Sequence, residues 1–267
     1  MDPSAHVQPA GLATTADRGG SGLMAEITVV VPVWDTAQSQ SRFTANCAKY
    51  LADNTVGDVK AIFVDNGSPN KDGVAVVEEL AARGDGKVGL IKNDTNRGYG
   101  GGANQGLYQG YQEGSKFFIV CNNDIQFFSV YWYDHLIKPI REVRDRLVGV
   151  RLIPDNMWVY LNGQHHPYLE GFMLAFDRWF LDKVGYFDEI FSPAWVEDVD
   201  LSWRASRHGY HLHPVPETPI FHVYGQTGYD GRLNFMQICE LNVVRFADKI
   251  AQGNDGWIGP PRFRSNG

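Results

Sequence analysis

The chain has 267 residues, 43% hydrophobic and 13% aromatic, which suits one large domain or a domain with an appendage and supplies a sizeable core. Its formal charge of −7 argues against polyanion binding as the main activity, because nucleic-acid binders carry a basic face; a local basic pocket for one diphosphate stays open. No apolar run approaches the ~18 residues of a membrane span, and the N-terminus lacks a secretory signal's apolar core. Cys47, Cys121 and Cys239 are odd in number, far apart and outside any Cys-x-x-Cys pattern, so they predict reduced core thiols in a cytoplasmic protein.

Residues 1–24 are rich in Ala, Gly, Ser, Thr and Pro without a period, the pattern of a flexible leader, and Met24 offers an alternative start. Order is expected from 26–34, a short apolar run typical of a buried parallel strand. A helix over about 41–52 follows. A second apolar run, 61–64, ends at the turn signal Asp65-Asn66-Gly67-Ser68. Another helix, about 72–82, leads to a third strand at 88–91. The Gly-rich stretch from Asn96 to Gly106 then opens a helix to about Glu113, and the fourth strand, 117–121, runs into Asn122-Asn123-Asp124.

This alternation of strands and helices with short links predicts an α/β fold of βαβ units around a mostly parallel sheet. Ligands of such sheets bind beyond the carboxyl ends of the strands. Asp65 and Asp124 both stand just past strand ends, so both should face one crevice. Beyond about residue 130 the pattern changes to an amphipathic helix (131–144) and strand-like pieces near 147–153, 157–161 and 168–176. A helix at 177–184 and an acidic helix ending near His208 follow, with short strands at 210–213 and 219–222. A last helix is expected over 233–250, before a Gly/Pro-rich tail.

The acidic helix carries the chemistry of most interest. Val199 and Trp203 share a face, as do Leu201 and Ala205, and Asp200 precedes Arg204 at the i, i+4 spacing of a helix-stabilising pair. Glu197 and Asp198 therefore fall at the helix start, where acids also favour the positive end of the dipole, and Gly209 supplies the stop. In the Gly-rich segment, Gly98-x-Gly100 is only part of a dinucleotide fingerprint, and no glycine completes it at 103. Its glycines are read as letting the backbone approach a ligand or a strand, and Arg97 as able to meet a diphosphate through its planar fork. Asn122-Asn123-Asp124 is a candidate metal and ribose site, or else a turn held by Asn side chains. His222 follows an apolar strand and is either structural or a second metal ligand.

These residues resemble family 2 glycosyltransferases of the GT-A fold. The resemblance rests on Val31-Pro32-Val33, Val64-Asp65-Asn66-Gly67-Ser68, Asn96-Arg97-Gly98 with Ala103-Asn104-Gln105-Gly106, Asn122-Asn123-Asp124, Glu170-Gly171-Phe172-Met173-Leu174 and Glu197-Asp198-Val199-Asp200-Leu201. It covers about residues 26–225, and the rhamnosyl- and galactofuranosyltransferase-like branch is nearest. It implies inverting, metal-assisted transfer of a sugar from a nucleoside-diphosphate sugar, of UDP or dTDP type, to an acceptor hydroxyl on a glycan, lipid-linked glycan, protein or small molecule. By this resemblance Asp65 holds the base, with Pro32, Val33, Arg97, Asn104 and Asn123 lining the nucleotide pocket. Asp124, with His222, carries Mg²⁺ or Mn²⁺. Asp198 is the catalytic base beside Glu197, and Gly171 and Trp195 lie near the acceptor. Residues 25–128 form the nucleotide-sugar half, 129–250 the acceptor and catalytic half of the same domain, and 251–267 the tail.

One departure from the family pattern is Asn122, which stands where the first metal-binding acid is usual. It leaves open a sugar-nucleotide-binding protein without catalysis. A sugar-phosphate nucleotidyltransferase would want a Gly-rich pyrophosphate loop after the first strand, and Val33-Trp34-Asp35-Thr36 is not one. A dinucleotide oxidoreductase fails likewise.

Overall fold

The structure is a computed structural model that describes residues 25–154, 160–161, 163–223 and 234–261; the expected leader and part of the strand expected near 157–161 lie outside these. The first half runs β1 (Ile27–Val33), α1 (Gln38–Asp53), β2 (Val59–Asp65), α2 (Asp72–Ala81), β3 (Val88–Lys92), α3 (Gly98–Gln112) and β4 (Phe117–Cys121). Then come β5 (Ile125–Phe127), α4 (Asp134–Glu142), β6 (Arg146–Gly149), β7 (Leu152–Ile153), β8 (Tyr160–Leu161), β9 (Gln164–His165), β10 (Tyr168–Leu169) and β11 (Met173–Asp177). The chain continues through α5 (Arg178–Lys183), a 3₁₀ turn (Glu189–Phe191), α6 (Glu197–Arg207), β12 (His211–Pro214), β13 (Ile220–His222) and α7 (Phe235–Ala251).

Seven strands form the central sheet in the order β12-β6-β11-β4-β1-β2-β3. β4, β1, β2 and β3 are mutually parallel, as are β12 and β6, and β11 is antiparallel to both of its neighbours. Both faces are covered, so the β1 side chains alternate between two cores. Val29 and Val31 meet Ala48 and Leu51 of α1 and Val74 and Val77 of α2; Val30 meets Ala103 and Leu107 of α3. A third cluster joins Phe191, Val196 and Val199 to Phe246 of α7.

The glycines of α3 decide how close it lies to the sheet. A side chain at Gly106 would run into Val30, and one at Gly110 would stand 2.7 Å from Thr28 Oγ1. Spaced four apart, they present a bare face to β1. The close-approach reading of the Gly-rich segment therefore holds for strands.

Part of the expected tail is described. Residues 252–261 fold back: Ile258 bridges to Gly185, and Trp257 Nε1 donates to Leu181 O at 2.9 Å. The segment expected as one strand over 168–176 is two, because β10 pairs with β7 in a separate two-stranded sheet and residues 170–172 link it to β11 of the central sheet. Cys47 and Cys121 are buried free thiols, and Cys239 is half-buried and free. No helix among the described residues is long and apolar enough to cross a membrane.

Candidate active site

β2 and β4 both pair in parallel with β1, so Asp65, at the end of β2, and Asp124, just past β4, emerge at the same end of the sheet. Between them lies Asp35, past β1. Its Oδ1 accepts from Thr44 Oγ1 (2.9 Å) and Asn123 Nδ2 (3.1 Å), and its Oδ2 from Ser41 Oγ (3.2 Å). Asp35 is 0% exposed; burial, with the Asp65 charge nearby, pushes its carboxyl from the ordinary 3.8 up to about 6 against those hydrogen bonds. Asp65 is buried too, with Oδ1 accepting from Ser68 N (2.8 Å) and Oδ2 paired with Lys71 Nζ (2.6 Å). The three loops are thus one hydrogen-bonded unit.

Short elements bring His222 to this end. β13 pairs antiparallel with β5 in the register His222 opposite Ile125, next to Asp124. His222 Nε2 stands 3.1 Å from Asp124 Oδ1 and 3.2 Å from Asn122 Nδ2, and its ring stacks on Phe172 with centroids 4.4 Å apart. Asp124 Oδ1 is buried and receives no hydrogen bond among the described residues. An anionic oxygen beside an imidazole nitrogen fits a divalent cation whose remaining ligands would be diphosphate and water oxygens. No group of three or more His, Cys, Asp or Glu side chains suited to a metal occurs among the described residues, so the protein's share of such a shell is small.

The acidic helix starts where expected, with Glu197 and Asp198 in its first turn. It is aimed by the chain that leads into β11. Gly171 N donates to Asp198 Oδ2 at 2.8 Å, and Asp198 Oδ1 accepts from Val199 N at 2.9 Å. One residue on, Phe172 O accepts from Asn122 N at 2.9 Å, which ties the same strand entry to the end of β4. A side chain at Gly171 would stand 3.0 Å from Asp198 Cβ, so any other residue would press on Asp198. Burial raises both carboxyls, Asp198 to about 6 and Glu197 well above the usual carboxylate range. Glu197 is 8% exposed, and its Oε2 has no hydrogen-bond partner among the described residues.

Tyr99 joins the two acid groups. Its hydroxyl donates to Gly171 O at 2.7 Å, and the charges of Glu197, Asp198 and Asp124 add to burial in raising its phenol. Gly171 is therefore held from both sides, with its N–H on Asp198 and its carbonyl on Tyr99.

The structure brings Asp65, Asn123, Asp124, His222, Gly171, Glu197 and Asp198 to one end of the sheet. Arg97 caps α3 there, without a side-chain hydrogen bond to the helix. Trp195 is half-buried just before the acids, with the left-handed φ of 70°. Pro32 and Val33 lie inside β1, and the Val33 side chain belongs to the core, so Asp35 is what this strand end presents.

Asn104 is not brought into the group. Its Nδ2 donates to Phe187 O (2.9 Å) and Glu189 Oε1 (3.1 Å), and its Oδ1 accepts from Phe187 N (2.9 Å). Its amide clamps α3 to the 187–189 loop. Asp35 and Tyr99 were not among the expected residues, although each adjoins a segment that was.

The sequence matches the family model for glycosyl transferase family 2 over residues 28–199. No curated protein matches the chain significantly. Among solved structures it is similar to the mannosyltransferase PcManGT from Pyrobaculum calidifontis, in complex with GDP-Man and Mn²⁺. There the TM-score is 0.59 at 16% identity, over 85% of this chain and 64% of that one. It is also similar to GalNAc-T7 with UDP, GalNAc and Mn²⁺ (TM-score 0.57, 18% identity, 84% of this chain and 48% of that one). A third is S. aureus TarS 1-349 with UDP (TM-score 0.53, 17% identity, 73% and 59%). The chain spans less than two thirds of the length of these proteins. With a mostly parallel seven-stranded sheet of the GT-A type and the family match across most of its length, the chain belongs to glycosyl transferase family 2.

Proposed function

We propose that this chain is an inverting, metal-assisted glycosyltransferase of the rhamnosyl- or galactofuranosyltransferase-like branch. It moves a sugar from a UDP- or dTDP-type donor to an acceptor hydroxyl. The observation that carries the reading is Asp198, fixed by the Gly171 N–H at the same sheet end as the Asp124–His222 pair.

In this reading Asp65 and the Asp35 network hold the nucleoside end of the donor, and Asp124 and His222 hold the cation. Bound there, Mg²⁺ or Mn²⁺ would stabilise the negative charge that gathers on the departing diphosphate. The imidazole ligand suits Mn²⁺, and two of the similar structures contain Mn²⁺. Arg97, with no anionic partner of its own among the described residues, supplies further positive charge to the diphosphate. Asp198 takes the proton of the acceptor hydroxyl on the opposite side of the anomeric carbon, a role worth ~10²–10⁴-fold. With its carboxyl at about 6, it is ionised at neutral pH yet more basic than an ordinary aspartate. Trp195 offers a flat surface to the acceptor, and burial and the Asp198 charge raise the Glu197 carboxyl beside it.

A thermal-shift screen of nucleotide sugars tests the reading, since a ligand of the folded state raises stability by RT ln(1 + [L]/Kd). UDP- or dTDP-sugars should raise the melting temperature with Mn²⁺ present, and Asp124→Ala should remove the metal-dependent part. Equal shifts in excess chelator would remove the metal from the account. Asn122 in place of an acid favours a second reading, a sugar-nucleotide-binding protein without turnover. Slow donor hydrolysis by the wild type, abolished in Asp198→Asn, would exclude it.

A further inference from the structure

The last helix, α7, lies beyond the residues that match the family model, yet it reaches directly into the segment that precedes the catalytic acids. Three polar side chains, Asn242, Arg245 and Lys249, follow one another at i, i+3 and i+7 and so share one helix face. Asn242 is 0% exposed, and its Nδ2 lies within hydrogen-bond distance of three carbonyls: Phe191 (2.7 Å), Ala194 (2.9 Å) and Trp195 (3.0 Å). Arg245 Nη1 donates to Asn242 Oδ1 at 2.8 Å and to Ile190 O at 2.7 Å, which fixes the donor end of the amide toward the loop. Lys249 Nζ lies 2.6 Å from both Asp188 Oδ2 and Asp200 Oδ1. Asp200 in turn accepts from Arg204 Nε at 2.8 Å, and this pair is completely buried. The face therefore grips the 188–200 segment at both ends and in the middle.

At its centre the backbone is strained. Trp195 and Val196 have φ of 70° and 76°, a region that β-branched and bulky residues avoid. Val196 caps α6, and its carbonyl accepts from Asp200 N at 2.9 Å in the first helical turn. The direction in which Glu197 and Asp198 leave is set by those two residues. Two consecutive disfavoured conformations persist only where surrounding contacts hold them; the Asn242 bonds to Ala194 and Trp195 act there, beside the packing of Val196 with Phe191, Val199 and Phe246.

We propose that Asn242, oriented by Arg245, is a positioning residue that holds Trp195–Val196 in the left-handed conformation and so aims Asp198 at the acceptor. The proposal rests on the reading of Asp198 as base. It makes α7 part of the active site.

The test combines crystal structures of Asn242→Ala and the wild type, calorimetric binding of UDP with Mn²⁺, and UDP release from a panel of UDP-hexoses. In Asn242→Ala, φ of Trp195 or Val196 should become negative and UDP affinity should stay within about twofold. The loss, at least about tenfold, should appear in kcat, because a misplacement of ~1 Å can cost about 10²-fold. Asn242→Ser keeps one donor and should recover part of kcat. If Asn242→Ala does not fold, Arg245→Met keeps the buried amide but frees its orientation and should give a smaller loss in kcat. Both angles remaining positive in Asn242→Ala, or kcat unchanged in the folded variants, overturns the proposal. If the wild type releases no UDP from any sugar, the reading of a UDP-type donor fails, while the two backbone angles still decide whether Asn242 is the clamp.

Discussion

Asp35 gives a prediction in which stability and function pull apart. Its carboxyl is lifted from 3.8 to about 6, chiefly by burial, so the folded state holds a proton that the unfolded chain has already lost. Stability is then lost as pH rises from the unfolded value through the folded one, and the gap corresponds to about 3 kcal/mol once both states are ionised. Asp35→Asn removes that penalty. It keeps the Oδ1 acceptor for Thr44 and Asn123, and Ser41, which already donates to Asn70 Oδ1 at 2.6 Å, can accept from the new amide. The variant should therefore be more stable than the wild type by up to about 3 kcal/mol near pH 8 and by about half that near pH 5. For a domain of this size the difference near pH 8 is a rise of roughly 6–12 °C in Tm. Thermal melts of both proteins across that pH range measure it. A variant that is less stable near pH 8, or a difference that does not shrink toward pH 5, would refute the electrostatic reasoning.

Other consequences follow from the same geometry. Because Asp198 must be ionised to act and burial raises it to about 6, kcat should climb with pH through about 6, and a profile flat down to pH 5 would count against the assignment. Gly171→Ala places a methyl 3.0 Å from Asp198 Cβ and 3.2 Å from its Oδ2. Turnover should drop by about tenfold or more with UDP binding retained, and unchanged turnover would show that the contact does not set the carboxylate. Gly106→Ala drives a methyl into Val30, where overpacking costs about 1–3 kcal/mol against a helix-propensity gain of about 1. The variant should melt lower while its folded fraction keeps its activity; a higher Tm would contradict the packing of α3.

The sheet and its strand-end acids were legible because they depend on local pattern. β1, β2 and β4 are apolar runs bounded by turn signals, and parallel order then places Asp65 and Asp124 together whatever the helices do. The helix start at Glu197 was readable from its periodicity. The short strand before His222 was readable, but its partner β5 was not, so the approach of His222 to Asp124 could not be read from pattern. Asn104 lies in a matching motif, and its amide bonds to Phe187 and Glu189, a tertiary contact no spacing reports. The last helix was readable, but only the fold shows that Asn242, Arg245 and Lys249 turn inward.

The central claim is that Asp198 removes the acceptor proton from the sheet end that also holds the nucleotide. Single-turnover transfer, measured alongside calorimetric donor binding, tests it in Asp198→Asn. The account predicts donor affinity close to wild type and transfer slower by at least about a hundredfold. Transfer near the wild-type rate with the donor fully bound would contradict it.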